Sequence, residues 1–341
     1  LPARPEPRRR ARPAAAALAA ALLLVALLAT GCGGGDGGTL RLGYFPNLTH
    51  GPALVGKEDG IVERQVTAMP TDWVKFTTGT EAVASMLAGS LDASYVGMGP
   101  VITTLSRAPG SLRVLSGVSE AGAVLVVRRG AGIRSLRDLR GRNVGFPGFG
   151  NTQDLTLRVM LAEVGLTASP RSDGDVRMVR IRNADLPSAF QRGALDAAIA
   201  PSPWGEQLVA QGLADVLVPA DRIIDGGRYP TTVLVVTDDF MRAHPEAVRQ
   251  LERANTLAVA AARRSPAAVV DAFEKAVRSS APTRDVLDAS IGTNVFTTEV
   301  APAGTRALLG AAREAGYLRR PVTLADLLPA GDLAATGAPT R

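Results

Sequence analysis

The sequence predicts an α/β protein of two lobes, and three observations carry that reading. Strand and helix patterns alternate through residues 40–106 and again through residues 136–211. A buried strand pattern, Thr232 to Thr237 (TVLVVT), returns after the second series and mainly helical sequence follows it. Polar turns rich in Gly, Asn, Thr and Pro stand at the carboxyl ends of the strands, where open α/β sheets place ligands.

The first series opens on Leu40 to Gly56 (LRLGYFPNLTHGPALVG). Leu40, Leu42 and Tyr44 alternate with Arg41 and Gly43 as a strand does, and Pro46 and Asn47 break it. The spacing predicts a helix next, with Asn47 or Thr49 as N-cap and Pro52 in its first turn, running through Ala53, Leu54 and Val55 to about Val62. A strand that ends in a polar turn and opens a helix aims free N–H groups at one point, which suits an anion. A second strand falls within Gln65 to Phe76. Gly79-Thr80-Glu81 opens a helix through Leu87, stopped by Gly89 and Ser90. Leu91 to Val96 is a strand, Gly97-Met98-Gly99-Pro100 a turn, and Val101 to Ser106 a helix. Leu112 to Leu115 and Ala123 to Val127 are further strands.

The second series starts with a helical turn at Ser135 to Asp138, ending at Gly141. Asn143 to Phe146 is a strand, and Gly148-Phe149-Gly150-Asn151 turns into an amphipathic helix, Thr152 to Val164. Leu155, Val159, Met160 and Val164 have its spacing, and Gly165 caps it. Val176 to Ile181 is a strand and Pro187 to Arg192 a short helix. Leu195 to Ala200 is a strand that ends at Pro201-Ser202-Pro203-Trp204; a helix, Gly205 to Gln211, and a strand, Asp215 to Val218, complete the series. A helix then runs from Pro245 to about Arg264, and Ser265-Pro266 caps and opens another. Broken helices follow from Thr283, and Ala334 to Arg341 is a loose tail. The chain crosses between lobes at Ala123 to Arg129 and back at Tyr229 to Val235, a two-stranded hinge suited to clamshell closure. The expected division is residues 39–126 in lobe 1, 127–233 in lobe 2, and 234–341 back in lobe 1.

Composition narrows the function. Hydrophobic residues are 46% and charged residues 21%, ordinary for a globular chain of 341 residues. The pI near 10 points first to a nucleic-acid or membrane partner. Of the net +6, however, +4 comes from residues 1–31, which hold five arginines and one acid, Glu6. A nearly neutral body has little electrostatic reason to hold nucleic acid. Those residues are expected to be a targeting segment: arginines, then an uninterrupted apolar run from Ala14 to Ala29, short for a membrane span. Ala29-Thr30-Gly31-Cys32 follows and resembles the lipobox of bacterial lipoproteins, which implies lipidation of Cys32 and an exported chain anchored at the outer face of the membrane. Gly33 to Gly38 (GGGDGG) is read as a tether; it matches G-x-G-x-x-G but follows no strand. Cys32 is the single cysteine, so disulfides and thiolate metal sites are not expected.

Five stretches, in this order and spacing, resemble the substrate-binding proteins of bacterial ATP-driven importers of the nitrate/sulfonate/taurine group. They are Tyr44 within GYFPNLTHGPALVG, GSLDASYVG at Gly89 to Gly97, LRDLRGRNVGFPGFGNTQD at Leu136 to Asp154, LDAAIAPSPW at Leu195 to Trp204, and TTVLVV at Thr231 to Val236. The resemblance covers most of residues 39–320. It implies a type II periplasmic-binding-protein-like clamshell with a mixed sheet flanked by helices in each lobe. It also implies a small anionic ligand, a permease and its ATPase subunits as partners, a monomer, and no cofactor. The chain departs from the group at Met98-Gly99-Pro100, where relatives often have Asn.

Candidates for chemistry are few. There are two histidines, His50 in the first polar turn and His244 before a helix. His50 is open to two readings, ligand contact or local capping. Neither a metal motif nor a nucleophile elbow appears; Gly117-Val118-Ser119-Glu120-Ala121 lacks the last glycine of G-x-S-x-G. The candidate ligand residues are Asn47, Thr49, His50, Gly79, Thr80, Gly97, Met98, Gly150, Asn151, Thr152, Gln153, Ser202, Trp204 and Thr231. Singly, the small polar ones are also ordinary turn and cap formers. With neither Arg nor Lys in these turns, an anion would be held by helix N-termini, backbone N–H groups, hydroxyls and amides. Phe45, Phe149 and Trp204 either pack on an organic tail or belong to the core. The expected function is capture of a small anion (sulfonate, taurine, nitrate or similar) and its delivery to a permease. The alternatives are an aromatic carboxylate or other organic ligand, an enzyme of pyrimidine-precursor synthase type on the same fold, and a surface lipoprotein without a ligand.

Overall fold

The computed structural model describes residues 38–169, 173–278, 281–329 and 331–332. The expected targeting segment of residues 1–31, Cys32, residues 33–37 of the expected tether and the expected tail from Ala334 lie outside the described residues.

The first series builds β1 (Leu40–Tyr44), α1 (Gly51–Glu58), α2 (Ile61–Gln65), β2 (Thr71–Lys75), α3 (Gly79–Leu87), β3 (Ala93–Val96), α4 (Met98–Arg107) and β4 (Leu112–Ala121). The second builds β5 (Ala123–Arg128), β6 (Asn143–Phe146), α5 (Thr152–Glu163), β7 (Arg177–Arg180), α6 (Leu186–Gln191), β8 (Ala197–Pro201), α7 (Trp204–Ala210) and β9 (Ala214–Val218). The return strand is β10 (Pro230–Thr237). After it come α8 (Asp238–Ala243), α9 (Pro245–Arg264), α10 (Pro266–Val277), α11 (Arg284–Ser290), β11 (Asn294–Phe296), α12 (Pro302–Glu314) and α13 (Leu324–Leu327).

Two mixed sheets result. The first has the order β11-β4-β10-β3-β1-β2 and the second β7-β6-β8-β5-β9. In the first, β1 runs parallel to β2 and β3, and β10 runs antiparallel between β3 and β4. In the second, β6 is parallel to β7 and β8, and β5 is antiparallel to β8 and β9. Both sheets are covered on both faces, which explains why their central strands read as nearly continuous apolar runs. In β10, Leu234 and Val236 join the core under α1, α9 and α10, while Val233 and Val235 join the core on the opposite face with α3, α4 and α12. In β5, Val124 and Val126 face one core, and Leu125 and Val127 the other.

Sheet membership can be set beside the expected lobe limits. β5 pairs with the second sheet from Ala123 on, and β10 pairs with the first from Pro230 on. By pairing alone, the change of sheet falls at Gly122 and just before Pro230, a few residues ahead of 126/127 and 233/234. β4 also outruns its expected end at Leu115 because Ser116, Ser119 and Glu120 are polar yet buried in the sheet.

Candidate functional site

The carboxyl ends of β1, β2, β3, β6 and β8 converge on one cavity of about 40 Å³. Several waters' worth of room is present, since one water needs roughly 10–15 Å³. Nine of the expected ligand residues line it: Asn47, Thr49, His50, Gly79, Gly97, Asn151, Thr152, Gln153 and Thr231. They come from turns separated by up to nearly two hundred residues, brought together because both sheets aim their strand ends at the seam between lobes. Phe45, Thr77, Thr78, Pro147, Asn183 and Pro201 complete the wall. Phe45 is buried with the core and also reaches this wall.

Local folding explains how the turns present polar groups. After β1 the chain makes a 3₁₀ turn, Leu48–His50, whose cap position is Asn47. His50, not Asn47 or Thr49, then occupies the cap position of α1, with Pro52 in the first turn. None of these three side chains caps the helix. Thr78 does cap α3, in a reciprocal capping box with Glu81. At α5 the side chain of Asn151 makes no cap bond, and its Nδ2 is buried without a partner. Asp154 holds that turn instead, accepting the Gly150 N–H at 2.8 Å.

The remaining five expected residues do other work. Thr80 is exposed, sharing a hydrogen bond with Thr78. Met98 is fully buried in the apolar core, because α4 begins at that residue and turns its side chain inward. Gly150, at φ +76°, shapes the turn and donates to Asp154. Ser202 is buried and donates to the Ser290 carbonyl at 3.2 Å. Trp204 donates from Nε1 to Asn47 Oδ1 at 2.8 Å and packs edge-on against Phe273.

That last contact joins the two lobes, and it has company. The Leu48 N–H donates to the Ser202 carbonyl at 3.0 Å, and the Gly99 N–H donates to Thr152 Oγ1 at 3.1 Å. Close approach at this second point depends on glycine. A Cβ on Gly99 would stand 2.7 Å from three backbone atoms of Gly150, Asn151 and Thr152, and one on Gly97 would stand 2.4 Å from Thr152 Oγ1. The lobes are thus in contact across the seam, and Thr231 Oγ1 ties the return strand to the Ala121 carbonyl at the hinge.

Electrostatically the wall is neutral: it carries neither a carboxylate nor a lysine nor an arginine. His50 is its single titratable side chain. Burial pushes the imidazole down to about 3, so the ring is neutral, and its Nδ1 is buried without a partner. Beside the site, on α7, burial pushes Glu206 up to about 7; Oε1 lies 3.4 Å from Thr293 Oγ1 and Oε2 is unpartnered. Among the described residues no group of three or more His, Cys, Asp or Glu is placed to hold a metal, and no helix is long and apolar enough to cross a membrane.

Two mixed sheets joined by a two-stranded hinge, with a polar cavity at the seam, define a two-lobed ligand-binding protein. The chain belongs to the NMT1-like family, whose sequence profile matches residues 34–274. It is similar to a protein of Escherichia coli (strain K12) named for aliphatic sulfonate binding, at 27% identity over 52% of this chain and 54% of that one. A protein of Bacillus subtilis (strain 168) named in the same way is 28% identical over 61% of this chain and 60% of its own length. The chain thus spans between about half and two thirds of the length of these curated relatives. Among solved structures, the alkanesulfonate-binding protein SsuA of Xanthomonas axonopodis pv. citri, bound to MOPS, superposes with a TM-score of 0.70 at 19% identity, over 86% of this chain and 97% of that one. The periplasmic nitrate-binding protein NrtA of Synechocystis superposes at 0.67 with 17% identity, covering 82% of each chain. The fold is therefore that of periplasmic binding proteins. The names of these relatives describe binding proteins.

Proposed function

We propose that this chain is the exported substrate-binding component of an ATP-driven importer. It captures a small anion between its lobes and delivers it to a permease. One observation carries the reading: hydroxyls, amides and backbone N–H groups from both lobes converge on a small neutral cavity at the seam. Its wall reaches the N-termini of α3, α4 and α5, whose partial positive charges favour an anion. The unpartnered Asn151 Nδ2 is a donor available to an oxyanion. The small volume suits a nitrate or the head group of a sulfonate better than the drug-sized ligands that fill roughly 300–1,000 Å³. The contact residues proposed are the nine of the expected set that line the cavity, with Thr77, Thr78 and Asn183. Cys32 is proposed as the site of lipid attachment to the outer face of the membrane, and the protein as a monomer.

Calorimetric titration of the purified protein with nitrate, ethanesulfonate, taurine and benzoate tests this. Saturable binding of at least one anion is expected, together with a rise in melting temperature. Absence of heat and of thermal shift with all four would refute it.

A further inference from the structure

His50 stands out as a group the proposed function leaves unexplained. It is the one ionisable side chain on the cavity wall, it is 5% exposed, and its Nδ1 meets no protein partner. Its ring lies 4.9 Å from that of Phe45, so on this side it faces carbon. Ionisable groups on the surrounding elements are engaged elsewhere. On α1, Lys57 and Glu58 pair with each other, and Lys275 of α10 joins Glu58. The acids of α10, Asp271 and Glu274, pair with Arg284. Glu120 of β4 lies with Arg228, and Glu206 of α7 meets Thr293. Across the seam, Asp154 pairs with Arg158, and Arg182, beside Asn183, pairs with Asp185. Glu81 of α3 is held by Thr77 and Thr78, and Lys75 at the end of β2 is exposed.

An anion buried in such a place meets helix ends and neutral donors but no full positive charge. Taking an isolated ion out of water is costly unless a counter-charge is supplied. A buried imidazole next to an anion gains exactly the partner its charged form requires, and its protonated ring would donate from both nitrogens. We infer that the anion enters the cleft together with a proton, carried by His50, so that ligand and imidazolium are buried as a neutral pair. This inference rests on the anion-binding reading above. The balance is simple: a neutral His50, one anion and one proton from solvent give a complex of no net added charge. Capture is consequently favoured by acid, and a rise in pH around the receptor favours release.

The test is calorimetric titration with potassium nitrate and with sodium ethanesulfonate, neither of which titrates in the range used. It is run between about pH 5.5 and 8.5, across the histidine range, in buffers of contrasting ionisation enthalpy. The expected result is an observed enthalpy that depends on buffer, with uptake approaching one proton per anion wherever the pH lies above the range of the free, buried imidazole and below that of His50 in the complex. Affinity should fall about tenfold per pH unit there, the slope of a one-proton linkage. His50→Gln keeps an amide donor but has no proton to take; it should bind more weakly, with a flat pH profile and buffer-independent heat. Binding by the unmodified protein that is buffer-independent, or that releases protons, would overturn the inference and leave the anion-binding reading intact. A pH slope that survives in a folded His50→Gln protein would overturn it as well. If neither of these anions binds, and taurine and benzoate fail as well, both readings fall together. The unmodified protein decides the question even if the variant does not fold.

Discussion

At the scale of single residues, the site combines side chains that serve the ligand cavity with side chains that serve closure. Thr152 belongs to both groups, since it lines the cavity while Oγ1 accepts the Gly99 N–H from the other lobe. Thr152→Ala should lower affinity for a bound anion by roughly 5- to 30-fold, the cost of about 1–2 kcal/mol for an unmatched buried donor. Thr152→Ser keeps the hydroxyl and should recover most of that loss in the same titration. Equal losses for Ala and Ser would refute this role. The Asn151 side chain makes no cap bond to α5; Asp154 keeps the turn in place. Glu206 makes the second residue-scale case. Its carboxyl is raised to about 7 by burial at α7, against an ordinary value of 4.5. The folded state therefore binds the proton more tightly than the unfolded state between these values. The stability this carries is complete below about pH 4.5 and is lost as pH rises through about 7. Glu206→Gln mimics the protonated form, so it should leave the melting temperature unchanged near pH 4 and raise stability near pH 8, by up to about 3 kcal/mol. A gain of the same size at both pH values would show that ionisation is not the cause.

At the scale of elements, the seam is set by helix N-termini that meet without side chains between them. Gly99, in the first turn of α4, lets the backbone of residues 150–152 approach directly. Gly99→Ala should lower the melting temperature or force the lobes apart at this point, because its Cβ would stand 2.7 Å from the backbone of residues 150–152. Its methyl group cannot be accommodated when the lobes meet, so affinity should fall by more than about tenfold. Unchanged affinity in calorimetry would mean that closure does not bring these backbones together during binding. Such a contact could not be read in the sequence, where Gly99 was part of a ligand-facing turn and Met98 a candidate contact. The elements themselves were far more readable. The limits of Gly79–Leu87, Asn143–Phe146, Pro245–Arg264 and the helix opened by Ser265-Pro266 came out as expected. Each is bounded by a cap, a glycine or a proline whose effect is local. By contrast, β11 is three residues long and owes its existence to pairing with β4, far away in the chain. The site divides in the same way. Polar turns after strands were recognisable one by one, and nine of their residues reach the cavity. Thr77, Thr78 and Asn183 carry no local signal beyond that of turn formers, and Ser202 and Trp204 were drawn away by partners on distant elements, Ser290 and Asn47.

At the scale of the whole molecule, two questions follow: whether Cys32 anchors the protein to a membrane, as proposed, and what holds its lobes together. For the first, Cys32→Ala should move the protein from the membrane to the soluble fraction of a washed lysate. Acyl chains would otherwise contribute about 0.8 kcal/mol for each buried CH₂; retention of the variant in membranes would refute lipid attachment at Cys32. For the second, the C-terminal region makes a tie remote from the cavity. α12 packs against α4 of the first lobe and α5 of the second. Just beyond it, Tyr317 donates its hydroxyl to Asp154 Oδ2 at 2.6 Å and accepts from Arg158 at 2.9 Å. Asp154 Oδ2 also receives the Gly150 N–H, so this buried network reaches the turn that borders the cavity. Tyr317→Phe removes the hydroxyl but keeps the ring under the Arg158 guanidinium, 5.2 Å from its centroid. Both charge-assisted hydrogen bonds of the hydroxyl are lost, and about 1–2 kcal/mol of that loss is expected to fall on the closed arrangement. Trp204 reports on that arrangement, because opening breaks its bond to Asn47 and exposes an indole that is now buried. In a Trp73→Phe background, which leaves Trp204 as the sole tryptophan, Tyr317→Phe should shift emission to the red. It should also enlarge the radius of gyration in X-ray scattering and weaken anion binding by roughly 5- to 30-fold. A lowered melting temperature with unchanged emission, scattering and affinity would show instead that Tyr317 supports the fold of the C-terminal region and has no part in closure.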